Sequence, residues 1–446
     1  MSSNPDDTIF ALSSGAGRSA IAVIRISGPA VRTAVMAMVG TLPQPRHARL
    51  CVIREPSSGR ALDQALVLFF PGPHSETGED IAEFQVHGGR AVVASVLAAL
   101  AGITGLRPAG PGEFAQRALR NGKMDLLDVE ALADLIDAET ELQRRQAIEG
   151  GGLVLRDRVE RWREGLLDIL ADLEAQIDFS DEGDVTDHID SQSQRLIKDL
   201  KADMRLVLLE GTRGERLREG FRVVLMGAPN AGKSSLLNAL AARDVAIVSD
   251  QPGTTRDRIE IALDLNGVPV LITDTAGLQE TTDVIEREGI RRSMGAASSA
   301  DLILWLCASD QPVLPASELA DLHGRGRLRI VQTKLDLLPT RKPVSADVWC
   351  QISVTSTDGL QDLFARIEAE ARRSFGGDEP ALLTRARHQH AVIRAHDTLE
   401  RIADQTPIEL VAEEIRLSCR ALDQLVGRID VEDVLGAIFS RFCIGK

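Results

Sequence analysis

The sequence predicts a multidomain protein with an α+β N-terminal domain, a discontinuous helical bundle domain and an α/β domain inserted into that bundle. Three changes of pattern along the 446 residues indicate this. Short apolar runs interrupted by Pro and Gly predict the α+β domain over 1–121. Apolar residues three and four positions apart predict helices over 122–219 and 375–446. Near-continuous apolar runs separated by helices predict a parallel sheet over 220–374.

The amino-acid composition argues against several kinds of binding site. Lys and Arg number 51 and Asp and Glu number 66, which gives a net charge of −15. Such acidity argues against bulk, non-specific adhesion to nucleic acid. With 11 Phe, 3 Trp and no Tyr, an aromatic platform for stacking bases is not expected. The five scattered cysteines form no CxxC pair, so neither a disulfide framework nor a zinc site is predicted.

The N-terminal sequence has no signal-peptide pattern, and no apolar stretch approaches the ~20 residues that span a bilayer. We therefore expect a cytoplasmic protein without membrane contact.

In the N-terminal domain, the apolar runs IAVIRI (21–26) and ALVLFF (65–70) predict two strands. The segment EFQVHGG (83–89) followed by AVVASVLAALAG (91–102) predicts a strand, a glycine turn and a helix.

Apolar residues in the predicted helical domain recur with the period of an α-helix. One helix face is predicted from six apolar residues spaced by threes and fours, namely Val159, Trp162, Leu166, Ile169, Leu173 and Ile177. Acidic residues and Gly183 break the pattern over 178–190, and a second helix is predicted over about 191–218.

The α/β domain opens with the strand FRVVLMG (221–227). Further buried strands are predicted at DLILWLC (301–307) and LRIVQT (328–333). The segment IEIALDLNGVPVLITD (259–274) predicts two strands joined by an Asn-Gly turn.

The segment GAPNAGKSS (227–235) fits the phosphate-loop pattern G-x-x-x-x-G-K-[ST] between a predicted strand and helix. Gly227 and Gly232 allow the backbone to wrap phosphates, and the loop amides and helix N-terminus supply donors. Lys233 is expected to reach the β- and γ-phosphates, and Ser234 to ligate magnesium.

Two later segments indicate which nucleotide is bound. DTAG (274–277) follows a strand, where Asp274 can hold the metal through water and Gly277 can meet the γ-phosphate. In TKLD (333–336), Asp336 can accept hydrogen bonds from the guanine N–H groups that adenine lacks. ISVTSTDGL (352–360) then supplies the last guanine-contacting loop. This order of motifs predicts a GTPase.

The residues alone leave the hydrolysis mechanism open. Leu278 stands where Ras-like GTPases have a water-orienting Gln, so another group must act. Gln279 and Glu286 are the polar candidates, although a solvated helix carboxylate is the more ordinary interpretation of Glu286. Asn230 fits either a monovalent-cation ligand or a residue chosen for a tight turn.

Several separate motifs resemble those of the MnmE (TrmE) family of tRNA-modification GTPases. They are GRSAIAVIRISG (17–28), TGEDIAEFQVHGG (77–89), PGEFAQRALRNGKMDLLDVEALADLIDA (111–138), the GTPase motifs and the terminal FCIGK (442–446). The phosphate loop alone would not separate this family from Era-like ribosome-assembly or regulatory GTPases, which are the alternative.

The resemblance implies an N-terminal domain that binds 5-formyl- or 5,10-methylene-tetrahydrofolate and forms a homodimer. It also implies that, with the flavoprotein MnmG, the protein adds an aminomethyl or carboxymethylaminomethyl group to carbon 5 of the wobble uridine of certain tRNAs. GTP, Mg²⁺ and K⁺ are the other implied cofactors, because hydrolysis in this family depends on potassium-stimulated dimerisation of the G domains.

The resemblance also assigns site residues. Glu286 is implied as the catalytic group, acting through water. The implied GTP-binding residues are Asn230, Ala231, Gly232, Lys233, Ser234, Ser235, Ser249, Asp250, Gln251, Pro252, Gly253, Thr254, Thr255, Asp274, Thr275, Ala276, Gly277, Lys334 and Asp336.

For the metals, Ser234 and Thr255 are implied ligands of Mg²⁺. Asn230, Thr254 and the backbone carbonyls of Ser249 and Gln251 are implied ligands of K⁺. The implied folate contacts are Arg25, Glu83, Lys123 and Lys446. A pterin offers donors that suit Glu83, and the carbonyl groups and glutamate tail suit Arg and Lys.

Three positions depart from the family pattern. Thr333 stands where the usual motif has Asn, so we expect one hydrogen bond fewer in the base-binding loop. Glu76 stands where an aromatic residue is common, and SSGAGR (13–18) replaces a proline-containing loop.

Overall fold

The computed structural model describes residues 7–15, 17–150, 152–178, 189–243, 246–247, 260–274, 300–312, 315, 326–338, 347–376, 380–403, 405–428, 442 and 445. The chain forms two compact units. The first comprises Met1–Ala133 and Arg416–Lys446, and the second comprises Asp134–Ile415. The three-domain boundaries predicted from the sequence remain a proposal.

The first unit contains a six-stranded sheet in the order β3-β4-β5-β2-β1-β6. Its strands are β1 (Thr8–Leu12), β2 (Ile21–Ser27), β3 (Arg49–Arg54), β4 (Ala61–Phe70), β5 (Ile81–His87) and β6 (Leu106–Pro108). Neighbouring strands are antiparallel except for β1 and β6, which are parallel.

One face of this sheet carries the core of the first unit. Helices α1 (Val31–Val39) and α2 (Arg90–Ala101) pack on it. Because side chains alternate along a strand, Ile24 and Phe84 enter this core while their neighbours Arg25 and Glu83 lie on the opposite face. On that opposite face, Phe114 of α3 (Glu113–Arg120) packs against Ile9 of β1.

Helices connect the sheet of the first unit to the second unit. Helix α4 (Leu126–Ile136) crosses the boundary between the units, and α5 (Glu141–Arg145) is followed by a π-helical turn, Gln146–Gly150. Two long helices follow, α6 (Gly152–Asp178) and α7 (Ser191–Glu219). In α6 the predicted face is buried from Val159 to Leu173, whereas Ile177 is only half-buried.

The second unit also contains a seven-stranded sheet in the order β13-β12-β11-β7-β10-β9-β8. Its strands are β7 (Phe221–Gly227), β8 (Ala246–Ile247), β9 (Glu260–Leu265), β10 (Val268–Asp274), β11 (Leu302–Ala308), β12 (Leu328–Thr333) and β13 (Val348–Gln351). The five strands from β13 to β10 run parallel, and β9 pairs antiparallel with β10. The remaining helices are α8 (Lys233–Ala241), α9 (Leu360–Ser374), α10 (Ala386–Glu400) and α11 (Ile408–Val426).

The β9–β10 turn contacts helix α5. Asn266 and Gly267 have φ angles of 53° and 85°, as the predicted Asn-Gly turn requires. The amide of Leu142 in α5 donates to the carbonyl of Gly267 at 3.1 Å, and its side chain, 8% exposed, joins the core of this sheet. A capping box formed by Thr140 and Gln143 fixes the start of α5.

None of the helices in the described ranges is long and apolar enough to cross a membrane.

Candidate functional site

The phosphate loop begins where β7 ends. Gly227 has a φ of 147°, and a Cβ there would lie 2.4 Å from the carbonyl oxygen of Leu306 in the neighbouring strand β11. Only glycine fits this position. Asn230 and Gly232 also have positive φ, at 61° and 95°, and α8 starts directly afterwards. The loop backbone therefore curves tightly into a helix N-terminus, the arrangement that binds phosphate.

Lys233 closes the loop on itself. Its Nζ donates to the carbonyl oxygens of Gly227 at 2.8 Å and Ala228 at 2.9 Å. Burial lowers the pKa of this amino group, and the negative charge of Asp274 partly offsets that effect. Among the described residues its hydrogen-bond partners are these two loop carbonyls, which a phosphate oxygen can replace.

Ser234 and Asp274 are brought together from two elements. The Ser234 hydroxyl, in the first turn of α8, donates to Asp274 Oδ2 at 3.3 Å, and Asp274 ends β10 with 2% exposure. A hydroxyl and a carboxylate beside a phosphate loop form a set of hard oxygen donors, which suits Mg²⁺. These two residues therefore fit the metal that GTP hydrolysis requires.

Thr333 links the base-binding loop to the phosphate loop. Its Oγ1 donates to the carbonyl oxygen of Ala231 at 2.7 Å, and both groups are buried. The expectation of one hydrogen bond fewer than with Asn stays a prediction, and this is the bond that Thr333 does make. The shorter threonine reaches the phosphate loop because β12 ends directly beside it.

Asp336 lies in a 3-10 turn, Leu335–Leu337, after Lys334, which has a φ of 59°. The hydroxyl of Ser353 donates to Asp336 Oδ1 at 2.6 Å. Lys334 forms an ion pair with Asp310 at 3.3 Å. Sequence reasoning did not single out Ser353 or Asp310. The signal for Ser353 was its place in the segment 352–360, where the last guanine-contacting loop was predicted.

Many predicted GTP-site residues lie outside the described residues. They are Ser249, Asp250, Gln251, Pro252, Gly253, Thr254, Thr255, Thr275, Ala276, Gly277 and Glu286, together with Leu278 and Gln279.

In the first unit, Arg25 and Glu83 face each other across β2 and β5. Arg25 donates from Nε and Nη2 to Glu83 Oε1 at 3.1 and 2.9 Å, and its Nη1 lies 2.7 Å from Glu76 Oε2. The guanidinium also lies 5.9 Å from the ring centre of Phe114. Two of the predicted folate residues are therefore in direct contact, and Glu76 is a third member of the group that the sequence did not predict.

Lys123 lies beside the turn that carries Glu76. A Cβ on Gly78, whose φ is 79°, would come within 3.2 Å of Lys123 Cε. The last predicted folate residue, Lys446, lies outside the described residues, but its neighbour Gly445 accepts a hydrogen bond from Ser13 at 2.9 Å. Ser13 follows Leu12, which pairs with Ile24 next to Arg25.

Two family models match the chain. The GTP-binding protein TrmE N-terminus matches residues 8–123, and the MnmE helical domain matches residues 126–443. Both matches agree with the domain types found in the structure.

Curated relatives match along the whole chain. A tRNA modification GTPase MnmE from Beijerinckia indica subsp. indica is 49% identical over 441 residues, which is 99% of this chain and 96% of that protein. A protein of the same description from Methylobacterium radiotolerans is 48% identical over 447 residues, covering 99% of this chain and 100% of that protein.

Solved structures give a weaker match. Era from Aquifex aeolicus is 22% identical, covers 42% of this chain and 69% of its own, and has a TM-score of 0.28, which is too low to support an argument. The full-length relatives, not this overlap, disfavour the alternative of an Era-like GTPase. The chain is a GTP-hydrolysing enzyme, and it belongs to the MnmE (TrmE) family of tRNA modification GTPases.

Proposed function

We propose that this enzyme, together with the flavoprotein MnmG, adds an aminomethyl or carboxymethylaminomethyl group to carbon 5 of the wobble uridine of certain tRNAs. The observation that carries this proposal is the presence in one chain of a complete phosphate loop and a separate Arg25–Glu83 pair on a second domain. Relatives described as tRNA modification GTPases match both parts. Because the proposed substrate is tRNA, we expect the enzyme in the cytoplasm.

For GTP hydrolysis, Lys233 would neutralise the phosphates. Ser234 and Thr255 would ligate Mg²⁺ and Asp274 would hold it through water, and the bound metal would supply charge stabilisation to the phosphoryl group. Asp336, oriented by Ser353, reads the guanine N–H groups. Asn230, with Thr254 and the carbonyls of Ser249 and Gln251, would bind K⁺, while its positive φ reflects the tight turn of the loop. Glu286 would be the catalytic group, acting through water.

For the one-carbon chemistry, Arg25, Glu83, Lys123 and Lys446 bind the reduced folate, which supplies the methylene unit. The chemistry of this donor set fits a pterin. Glu83 Oε2 receives no hydrogen bond from any described residue, so it is free to accept from the amino group or ring N–H of the pterin. Lys123 and Lys446 supply the positive charge for the glutamate tail.

The homodimer is supported by an apolar surface on the open face of the first sheet. Ile21, Leu50, Val52 and Leu66 are 61%, 60%, 37% and 40% exposed on the face opposite to α1 and α2. Leu50 and Leu66 are directly paired across β3 and β4, with Val52 beside them on β3, whereas Ile21 lies on β2 beyond β5. Contiguous exposed apolar residues mark interaction sites, and a second copy of this chain is the occupant we propose.

Nucleoside mass spectrometry of tRNA tests the overall function. In cells lacking this protein, we expect the modified wobble uridine to disappear from the affected tRNAs and plain uridine to replace it. The wild-type gene should restore the modification, and a Lys233→Ala gene should not. An unchanged nucleoside profile in the deletion strain would overturn the proposal.

A further inference from the structure

Arg25 is held between two carboxylates. Its Nη1 contacts Glu76 at 2.7 Å, while Nε and Nη2 both donate to Glu83. These contacts use three of the five N–H donors of the guanidinium, and Phe114 lies near its face. Because Nη1 is held by Glu76, a ligand anion that approaches this end of Arg25 competes with Glu76 for it.

The two carboxylates are held differently. Glu83 lies on β5 opposite Arg25, makes two hydrogen bonds and is 17% exposed. Glu76 lies in a turn, makes one contact with Arg25 and is 42% exposed. A half-exposed single contact is weaker than a more buried double one. When a ligand anion competes for Arg25, Glu76 is therefore the carboxylate that it displaces first.

The backbone around Glu76 is anchored, so the side chain returns to Arg25 when no competitor is present. The hydroxyls of Thr77 and Ser27 share a buried hydrogen bond of 2.7 Å, and Ser27 donates to Glu79 at 2.7 Å. Arg117 forms an ion pair with Glu79 at 3.0 Å, and Asn121 donates to the carbonyl of Thr77 at 2.7 Å. These contacts fix the residues that directly follow Glu76.

From this geometry we infer that Glu76 is a specificity-determining residue that competes with ligand carboxylates for Arg25. The inference rests on the proposed folate binding. It predicts that Glu76 opposes the binding of folates through their glutamate tail while leaving the recognition of the pterin ring to Glu83. The usual aromatic residue at this position could not compete in this way, because it carries no charge.

Isothermal titration calorimetry of the full chain tests the inference with two ligands. The first is 5-formyl-tetrahydrofolate, which carries the glutamate carboxylates, and the second is 6-methyl-tetrahydropterin, which has none. In Glu76→Gln we expect 5-formyl-tetrahydrofolate to bind about two- to five-fold more tightly, the range that a half-exposed ion pair supports. The affinity for the tail-free pterin should not change.

Glu55→Gln is the matched control, because it removes one carboxylate from the β3–β4 connection of the same unit, where Glu55 pairs with Arg60 at 3.6 Å. It should leave both affinities unchanged. Unchanged or weaker binding of 5-formyl-tetrahydrofolate to Glu76→Gln, or an equal gain for both ligands, overturns the inference and leaves folate binding standing. If neither ligand binds the wild-type chain, the folate proposal itself is overturned, and the inference with it.

Discussion

The hydroxyl of Thr333 donates a 2.7 Å hydrogen bond to the carbonyl of Ala231, and this bond joins the loop that reads the base to the loop that holds the phosphates. Both groups are buried, so no water replaces the bond if it is lost. The two loops leave strands of the same sheet, and this side chain adds a direct bond between them.

Thr333→Val, which keeps the shape and removes the hydroxyl, tests this link. An unsatisfied buried carbonyl costs about 1–3 kcal/mol, so we expect the free energy of unfolding to fall by that amount and the affinity for GTP to weaken. Chemical denaturation and nucleotide titration measure the two effects. Thr333→Ser keeps the hydroxyl and should resemble the wild type. Equal behaviour of the valine variant and the wild type would show that the bond is unimportant.

Asp336→Asn should change the choice of nucleotide. In the proposed role the carboxylate would accept two charge-assisted hydrogen bonds from guanine, and their loss should weaken GTP binding by about 2–4 kcal/mol, or roughly 30- to 1000-fold. Xanthine has a carbonyl where guanine has an amino group, so the asparagine amide can donate to it. Competition between GTP and XTP measures the switch. An unaltered preference for GTP would remove Asp336 from base recognition.

Leu142 connects a helix that precedes the α/β sheet to the core of that sheet. Because Leu142 is 8% exposed among residues of this core, Leu142→Ala should destabilise the unit by about 2–5 kcal/mol. Leu153→Ala is the control, because that side chain is 63% exposed on α6 and should cost little. Thermal and denaturant unfolding measure the loss of stability in both variants. Similar losses in the two variants would contradict this role of Leu142.

Glu113 makes the stability of the first unit depend on pH. Burial alone would raise the pKa of its carboxyl, but hydrogen bonds from Arg107 and from the Gly110 amide, with the charges of Arg107 and Arg117, lower it below the ordinary 4.5. A lowered folded-state pKa contributes stability above pH 4.5 that is lost as the pH falls through the folded-state value.

Unfolding curves from pH 7 to well below pH 4.5, through the lowered folded-state pKa of Glu113, test this for wild type and Glu113→Gln. We expect the variant to be less stable at pH 7 and the difference between the two proteins to shrink as the pH falls below 4.5. A difference that stays constant over this range would mean that Glu113 contributes through packing and not through its charge.

Glu286→Ala should separate binding from hydrolysis. If Glu286 orients the water, the variant binds GTP as the wild type does and loses turnover, because no remaining group replaces the carboxylate. Nucleotide titration and phosphate release measure the two properties. Retained turnover would transfer the role to another residue such as Gln279.

Local sequence patterns were sufficient to predict those parts of the structure that depend on residues close together in the chain. The Asn266-Gly267 turn follows from the tolerance of these residues for positive φ. The buried face of α6 follows from helical periodicity, except near its end, where Ile177 is half-buried. The phosphate loop was predicted from its pattern of glycines. Gly227 is required there because a Cβ would lie too close to the Leu306 carbonyl oxygen.

Contacts between distant segments could not be predicted in the same way. Ser353 reaches Asp336 only because β12 and β13 are neighbours. The bond from Thr333 to Ala231 was not predicted, because the distance from β12 to the phosphate loop is a tertiary property. Glu76 was recognised as unusual, but its pairing with Arg25 depends on how the turn folds back over β2.

Transfer of an isotope label tests the central claim most directly. The purified chain, MnmG and unmodified tRNA are supplied with GTP, K⁺, an amine donor and 5,10-methylene-tetrahydrofolate labelled in its methylene carbon. Mass spectrometry of the digested tRNA should find the label on the wobble uridine, and replacing wild type with Lys233→Ala should abolish it. Product without the label, or labelled product formed equally without GTP, would contradict the coupling of GTP hydrolysis to one-carbon transfer.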